Sequence, residues 1–329
     1  MTKFYKLFFF NFVVMGTLIS ISSFSWFSMW MGMEINLISF IPIMKDNNSK
    51  SSESMSKYFI IQALASSILL LSIIMMNFSL MNWNMITPQS IMFFSLITKL
   101  GMAPTHFWLV EVVEGLNWWN CFWMLTWQKI APFVFLMFLN KNLLIFYFSI
   151  IISTFISTIQ GLGQISMRKI MTYSSINHMA WMMCSLMNNF IWCIYIFLYL
   201  ITNFNLIMMF NKFKIFYINQ IYNMNMNLML KLFILLNFLS LSGLPPFIGF
   251  LPKWLTIMWM IENNFIFMPL LITTLTLISI FFYIRIMIPS MLNYMKMKKK
   301  INMKLNFYYL MFNFMFFSSL ILLSWTNWM

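Results

Sequence analysis

Ser242-Gly-Leu-Pro-Pro-Phe-Ile-Gly-Phe-Leu-Pro-Lys-Trp254 sits inside an apolar run that extends from about 229 to 262. The run is too long for one membrane helix, which needs about 20 residues. Adjacent prolines remove backbone donors and cannot continue a helix, so two half-helices joined near Pro245 and Pro246 are expected. Irregular backbone at membrane depth is tolerated where protein or water shields it, and Lys253 follows at once. A broken helix carrying a charge implies a polytopic membrane protein with an internal polar path.

Composition agrees. The 329 residues are 62% hydrophobic and 8% charged, with mean hydropathy +0.83, more apolar surface than a soluble core can hide. Phe (39) and Met (37) dominate, while Gly (8) and Pro (9) are few. Phe, Met, Ile, Asn, Lys and Tyr are residues of A/T-rich codons, and the methionine excess suits a code that reads an extra codon as Met. Together they suit synthesis inside a mitochondrion, while an A/T-rich bacterial genome would account for all but the methionine excess. The start, Met1 to Lys6 followed by an apolar run, carries no small-residue cleavage site, so it is expected to remain as a first helix. Cys121, Cys184 and Cys193 form no C-x-x-C pair and support neither a disulfide framework nor a metal cluster.

Outward from the broken run, apolar stretches are separated by charged or Asn-rich punctuation. Spans are expected near 4–23, 26–44, 58–78, 86–101, 117–139, 143–161, 169–187, 190–210, 229–262, 266–289 and 307–326. If each crosses once, the side of the amino terminus receives Lys3, Lys6, Lys45, Lys50, Lys57, Arg168, Lys169, Lys212, Lys214, Lys296, Lys298, Lys299, Lys300 and Lys304, and the other side only Lys141. One missed or invented helix in mid-chain would scramble that asymmetry, so it supports the count of eleven. The basic side is expected to face the matrix, or the cytoplasm in a bacterium; in a mitochondrion the amino terminus then lies in the matrix and the carboxyl terminus in the intermembrane space. The net charge of +14 is then topology and anionic-lipid contact, with a phospholipid such as cardiolipin a candidate ligand, and no nucleic-acid partner is expected.

Four ionisable residues fall within spans: Glu34, Lys99, Lys129 and Lys253. Each costs roughly 2.5–3.5 kcal/mol at the centre of a lipid-facing helix, so a buried pathway for protons or ions is the economical explanation. Charge and helix break coincide three times: Lys99 precedes Gly101-Met-Ala-Pro104, Lys129 precedes Ile-Ala-Pro132, and Lys253 follows Pro252. Lys99 and Lys253 fall in the fourth and ninth spans, so two five-helix repeats would place them in corresponding helices, and a five-helix unit repeats inverted. The organisation expected is one transmembrane domain over 1–329: first repeat about 4–139, second about 143–289, and a last helix about 307–326.

Trp30-Met-Gly-Met-Glu-Ile-Asn36 leading to Phe40-Ile-Pro42, Trp127-Gln-Lys-Ile-Ala-Pro132, Ser174-Ser-Ile-Asn-His-Met-Ala-Trp181 and Gly243 through Trp254 closely resemble the subunit 2 family of animal, insect-type, mitochondrial NADH dehydrogenase. These are antiporter-like membrane-arm subunits of respiratory complex I, related to Mrp-type cation/proton antiporters. The resemblance covers nearly the whole chain. Relative to bacterial members of fourteen helices, the animal form lacks three, in agreement with eleven spans. It implies an all-α fold of inverted repeats with broken helices, and a proton relay whose members match Glu34, Lys99, Lys129 and Lys253. Lys99 is matched through Gly-x-x-Pro-x-His-Phe-Trp, here Gly101 to Trp108; Val110 stands where the family usually has Pro. It also implies other complex I membrane-arm subunits as partners, with FMN, iron–sulfur clusters and ubiquinone belonging to the whole complex and no cofactor bound by this chain.

Desolvation disfavours the charged forms of lysine and glutamate alike, so Glu34 and Lys99 would make a pair that can open and release a proton toward Lys129 and Lys253 along bound water. The alternative is a static ion pair, with the other lysines satisfied by carbonyls freed at the prolines. His178, with Ser174 and Ser175 one turn away, is a candidate water-chain residue or a packed, hydrogen-bonded histidine. His106, near Glu111 and Glu114, is expected as a solvated surface group, and Arg285 to snorkel to the basic side. Trp26, Trp83, Trp118, Trp119, Trp325 and Trp328 read as an interfacial belt. There is no Gly-x-Gly-x-x-Gly loop, no P-loop and no cluster-binding cysteine set. Besides a proton-translocating subunit, a free-standing antiporter and an architectural subunit remain open.

Overall fold

The structure is a computed structural model that describes residues 2–46, 48–78, 86–139, 143–223 and 228–296. The expected last span, the Lys298–Lys304 cluster, Lys141, Trp83, Trp325 and Trp328 lie outside the described residues. The chain divides into two compact units, Met1–Ser153 and Thr154–Met329.

The first unit contains α1 (Thr2–Ser22), α2 (Trp26–Met44), α3 (Ser49–Phe78), α4 (Ile86–Leu100), α5 (Phe107–Gly115), α6 (Trp118–Leu125), a 3-10 turn at Trp127–Lys129, α7 (Ile130–Phe138) and the start of α8 (Leu143–Leu162). α1 and α2, with 21 and 19 residues, reach about 30 Å at 1.5 Å per residue, the thickness of the hydrocarbon core. They pack through small residues. A Cβ on Gly32 would meet Ser20 N at 2.7 Å and Gly16 O at 2.8 Å, and one on Gly16 would meet Asn36 N and Gly32 O at 2.9 Å. Lipid offers no hydrophobic drive between helices, so such close backbone approach is what holds a pair together. α3 begins at Ser49 rather than near 58, because no Pro or Gly stops its polar first turns from continuing the helix.

Lys6 reaches Asp46 at 3.3 Å, Asn117 donates to Asp46 at 2.6 Å, and Lys57 pairs with Glu111 at 2.5 Å. The start of α1, the end of α2, the early turns of α3, α5 and the start of α6 therefore share one end of this unit. That is the up-down alternation the charge pattern requires, with α4 and α5 making one interrupted crossing.

In the second unit, α8 is followed by α9 (Met167–Ser185), α10 (Asn189–Phe213), α11 (Ile218–Asn223), α12 (Leu228–Ser242), α13 (Phe250–Glu262) and α14 (Phe267–Lys296). α9 is buried without interruption from Ile170 to Leu186, walled by α10, α13 and α14. A helix shielded from lipid on all sides can carry polar residues, which is why this span looks weak by hydropathy. Tyr222 Oη donates at 3.1 Å to the carbonyl of Arg285, the very acceptor that Pro289, four residues on, cannot serve. Arg285 itself donates to the carbonyls of Leu162 and Gln164, at the carboxyl end of α8.

Among the described residues seven helices are long and apolar enough to cross a membrane. The remaining expected crossings are the broken pairs α4–α5 and α12–α13 and the polar, enclosed α9. Apart from one isolated antiparallel bridge, Ser166 with Tyr217, the described residues contain no strand, so the fold is all-α.

Candidate functional site

Both interrupted crossings are terminated in the same way. At the end of α4, Gly101 N donates to Thr98 O at 3.1 Å and Met102 N to Ile97 O at 3.2 Å; at the end of α12, Gly243 N donates to Ser240 O at 3.1 Å and Leu244 N to Leu239 O at 3.5 Å. This paired pattern is a Schellman cap, which needs a left-handed residue. Gly101 has φ +70° and Gly243 φ +79°.

The lysines use these caps differently. Lys99 lies in the last turn of α4, where the helix dipole favours a cation. The carbonyls beside it have other donors: Trp108 Nε1 binds Thr98 O at 3.1 Å, and Gln62 Nε2 binds Lys99 O at 3.1 Å. The ammonium turns instead to Glu34, with Nζ 3.6 Å from Oε1; the lysine side chain is 3% exposed and the glutamate 22%. That is ion-pair contact just beyond ordinary hydrogen-bond length. Lys253 lies past the second break, in α13, and reaches back to donate to Ser242 O at 2.8 Å, with Trp181 presenting its ring at 5.9 Å. Here the freed-carbonyl arrangement is realised, as it is not for Lys99.

Lys129 is buried in the 3-10 turn. Pro132 supplies no N–H for the carbonyl of Gln128 and its ring crowds that oxygen, so the fifth span is divided into α6, the turn and α7, with the break at the Lys129–Pro132 stretch where it was expected. Lys99 and Lys129 line one cavity of about 30 Å³, together with Asn36, Tyr58, Gln62 and Gln128. Such a space holds about one or two waters, and its polar wall gives them partners. In the second unit, His178 is buried and its Nδ1 lies 3.0 Å from Tyr195 Oη. It borders a smaller pocket of about 10 Å³ with Tyr199, Thr202, Ser240, Gly249 and Pro252. Ser174 and Ser175 donate to the carbonyls of Met171 and Thr172 on their own helix, at 2.8 and 2.7 Å.

Two expectations are corrected. His106 is fully buried, not solvated: it caps the start of α5 directly after the Pro104 turn, where the chain folds inward, and its Nδ1 is 3.2 Å from Pro104 O. Trp118 is 2% exposed and belongs to the core of the first unit, whereas Trp119 is 41% exposed as a belt residue would be. The sequence reading also passed over Asn36, Tyr58, Gln62, Gln128 and Tyr195. Tyr58 and Gln62 could have been found, since a spacing of four puts two polar side chains on one face of α3.

The family described as NADH:quinone oxidoreductase/Mrp antiporter, TM, matches residues 23–279. NADH-ubiquinone oxidoreductase chain 2 of Anopheles gambiae is 46% identical over 95% of this chain and 95% of its own; the protein of that name from Aedes aegypti is 47% identical over 88% and 86%. Among solved structures, a chain of respiratory complex I from Thermus thermophilus with bound aureothin superposes with TM-score 0.79 at 20% identity, covering 87% of this chain and 70% of that one. On a match of this extent and identity, joined to the broken helices and the buried lysines, the chain belongs to the NADH-ubiquinone oxidoreductase chain 2 family.

Proposed function

We propose that this chain is a core membrane-arm subunit of a mitochondrial NADH:ubiquinone oxidoreductase, multi-pass in the inner membrane, and that Glu34, Lys99, Lys129 and Lys253 relay protons through it. The observation that carries the reading is the shared cavity: Lys99 and Lys129 line one polar space, and Lys99 is ion-paired to Glu34 at 3.6 Å. Desolvation makes each charge conditional on its neighbour. While Glu34 and Lys99 are close, the ammonium is compensated. When the pair opens, Lys99 becomes an isolated buried cation, and losing its proton to cavity water next to Lys129 relieves that cost. Lys253, at the break of the second unit, is the further member that the family resemblance implies, and His178 is a water-side residue of that unit.

Electron transfer from NADH to ubiquinone belongs to the assembly, which supplies FMN and iron–sulfur clusters. Among the described residues no three His, Cys, Asp or Glu side chains gather to hold a metal. The chain's part is to couple through conformation and electrostatics. The basic side is assigned to the matrix with the amino terminus there, and the repeats to about 4–139 and 143–289; the matching Schellman caps at the two breaks support that pairing. The neighbours are other membrane-arm subunits and the lipid bilayer.

The test is Glu34→Gln in the assembled complex. The relay requires slower proton pumping with NADH oxidation slowed alongside it. Wild-type pumping and turnover would leave the pair static and favour an architectural subunit.

A further inference from the structure

The cavity between Lys99 and Lys129 is walled by neutral side chains from three elements: Asn36 of α2, Tyr58 and Gln62 of α3, and Gln128 of the 3-10 turn. Gln128 joins two of these walls to its own. Its Nε2 donates to Asn36 Oδ1 at 3.0 Å, and its Oε1 accepts from Tyr58 Oη at 3.5 Å, the outer edge of hydrogen-bond range. With one amide end donating and the other accepting, the orientation of Gln128 is set. Tyr58, its hydroxyl proton turned to Gln128, presents lone pairs to the cavity. A water placed beside it would donate to that oxygen and turn its own lone pair to a cation.

The amide bond also joins two backbones that carry charge. Asn36 lies two residues after Glu34, and Gln128 immediately precedes Lys129. Asn36 is 3% exposed and Tyr58 3%, so a broken bond here would not be repaired by bulk water.

We propose that Gln128 is a positioning residue of the proton path. Its bond to Asn36 fixes the spacing between α2 and the Lys129 turn, and its bond to Tyr58 holds the cavity water in one hydrogen-bond polarity between the two lysines. The inference rests on the relay reading of Lys99 and Lys129. The amide neither gains nor loses a proton; it acts by orienting the groups that do. The cavity has room for about one or two waters, so the orientation of each bears directly on the path between the lysines.

The experiment uses the intact complex in proteoliposomes, with Gln128→Met, Asn36→Leu, the double variant, and Lys129→Met as the reference. Assembly is read on native gels, and pumping rate and the solvent deuterium isotope effect on turnover are measured. Gln128→Met removes the part-buried hydrogen bonds to Asn36 and Tyr58; it should slow pumping roughly five- to tenfold and raise the isotope effect, which mere loosening of packing would not do. The double variant should be no slower than Gln128→Met, since Asn36→Leu removes a bond that Gln128→Met has already broken. Additive losses, or wild-type pumping and isotope effect in Gln128→Met while Lys129→Met is impaired, would overturn the proposal. Wild-type behaviour of Lys129→Met would instead overturn the relay on which it rests. Should Gln128→Met fail to assemble, Asn36→Leu breaks the same bond from the other side, with the same two outcomes deciding.

Discussion

The ammonium of Lys253 occupies the space that a side chain on Gly243 would need: a Cβ there would lie 2.9 Å from Nζ and 2.8 Å from Cδ. Gly243 thus serves twice, supplying the left-handed turn that caps α12 and the room in which Lys253 reaches Ser242 O. Gly243→Ala should cost about 1–2 kcal/mol in backbone strain alone and displace the lysine. The measurement is thermal inactivation and turnover of the assembled complex. Gly163→Ala, where a Cβ meets nothing within 4 Å, is the control expected to behave as wild type.

The pairing of α1 with α2 makes a prediction about assembly. At Gly32 the obstructing atoms are backbone, Ser20 N at 2.7 Å and Gly16 O at 2.8 Å, and backbone cannot swing aside as a flexible side chain can. Gly32→Leu should therefore separate the two helices and reduce the yield of assembled complex on native gels. Overpacking of this kind costs about 1–3 kcal/mol even in adaptable cores.

The Glu34–Lys99 contact predicts non-additive stability. Lys99→Met strands a carboxylate whose side chain is 22% exposed, and Glu34→Gln strands a nearly buried ammonium. The double variant should be more stable than the Glu34→Gln single, with a coupling of about 1–3 kcal/mol typical of contacting residues. Inactivation midpoints of the four proteins measure it. Strict additivity would mean that the two groups do not interact.

His106 supplies a prediction opposite to its sequence reading. A solvated histidine could be replaced within about 0.5 kcal/mol, whereas removing this fully buried one should destabilise by about 1–3 kcal/mol. Comparing His106→Ala with wild type by thermal inactivation distinguishes the two.

How much was legible depended on the cost of each residue in lipid. Glu34, Lys99, Lys129 and Lys253 stood out because a charge in an apolar run is expensive, and Gly101 and Gly243 beside prolines announced the breaks. Asn36, Tyr58, Gln62 and Gln128 carry no charge and cost little individually, so beyond the four-residue spacing of Tyr58 and Gln62 nothing along the chain marks their convergence on one cavity. Proximity to Glu111 and Glu114 suggested solvent at His106, but its side chain is buried, with Nδ1 3.2 Å from Pro104 O. The long polar start of α3 shows the same limit: hydropathy finds what lies in lipid, whereas helix ends follow local backbone chemistry.

The central claim is that Lys129 carries protons and does not merely fill a buried site. Proton pumping per electron pair in membranes bearing Lys129→Met, after assembly is confirmed, tests it most directly. The relay predicts reduced pumping or a coupled loss of turnover. Unchanged pumping and turnover would contradict it and make this lysine structural.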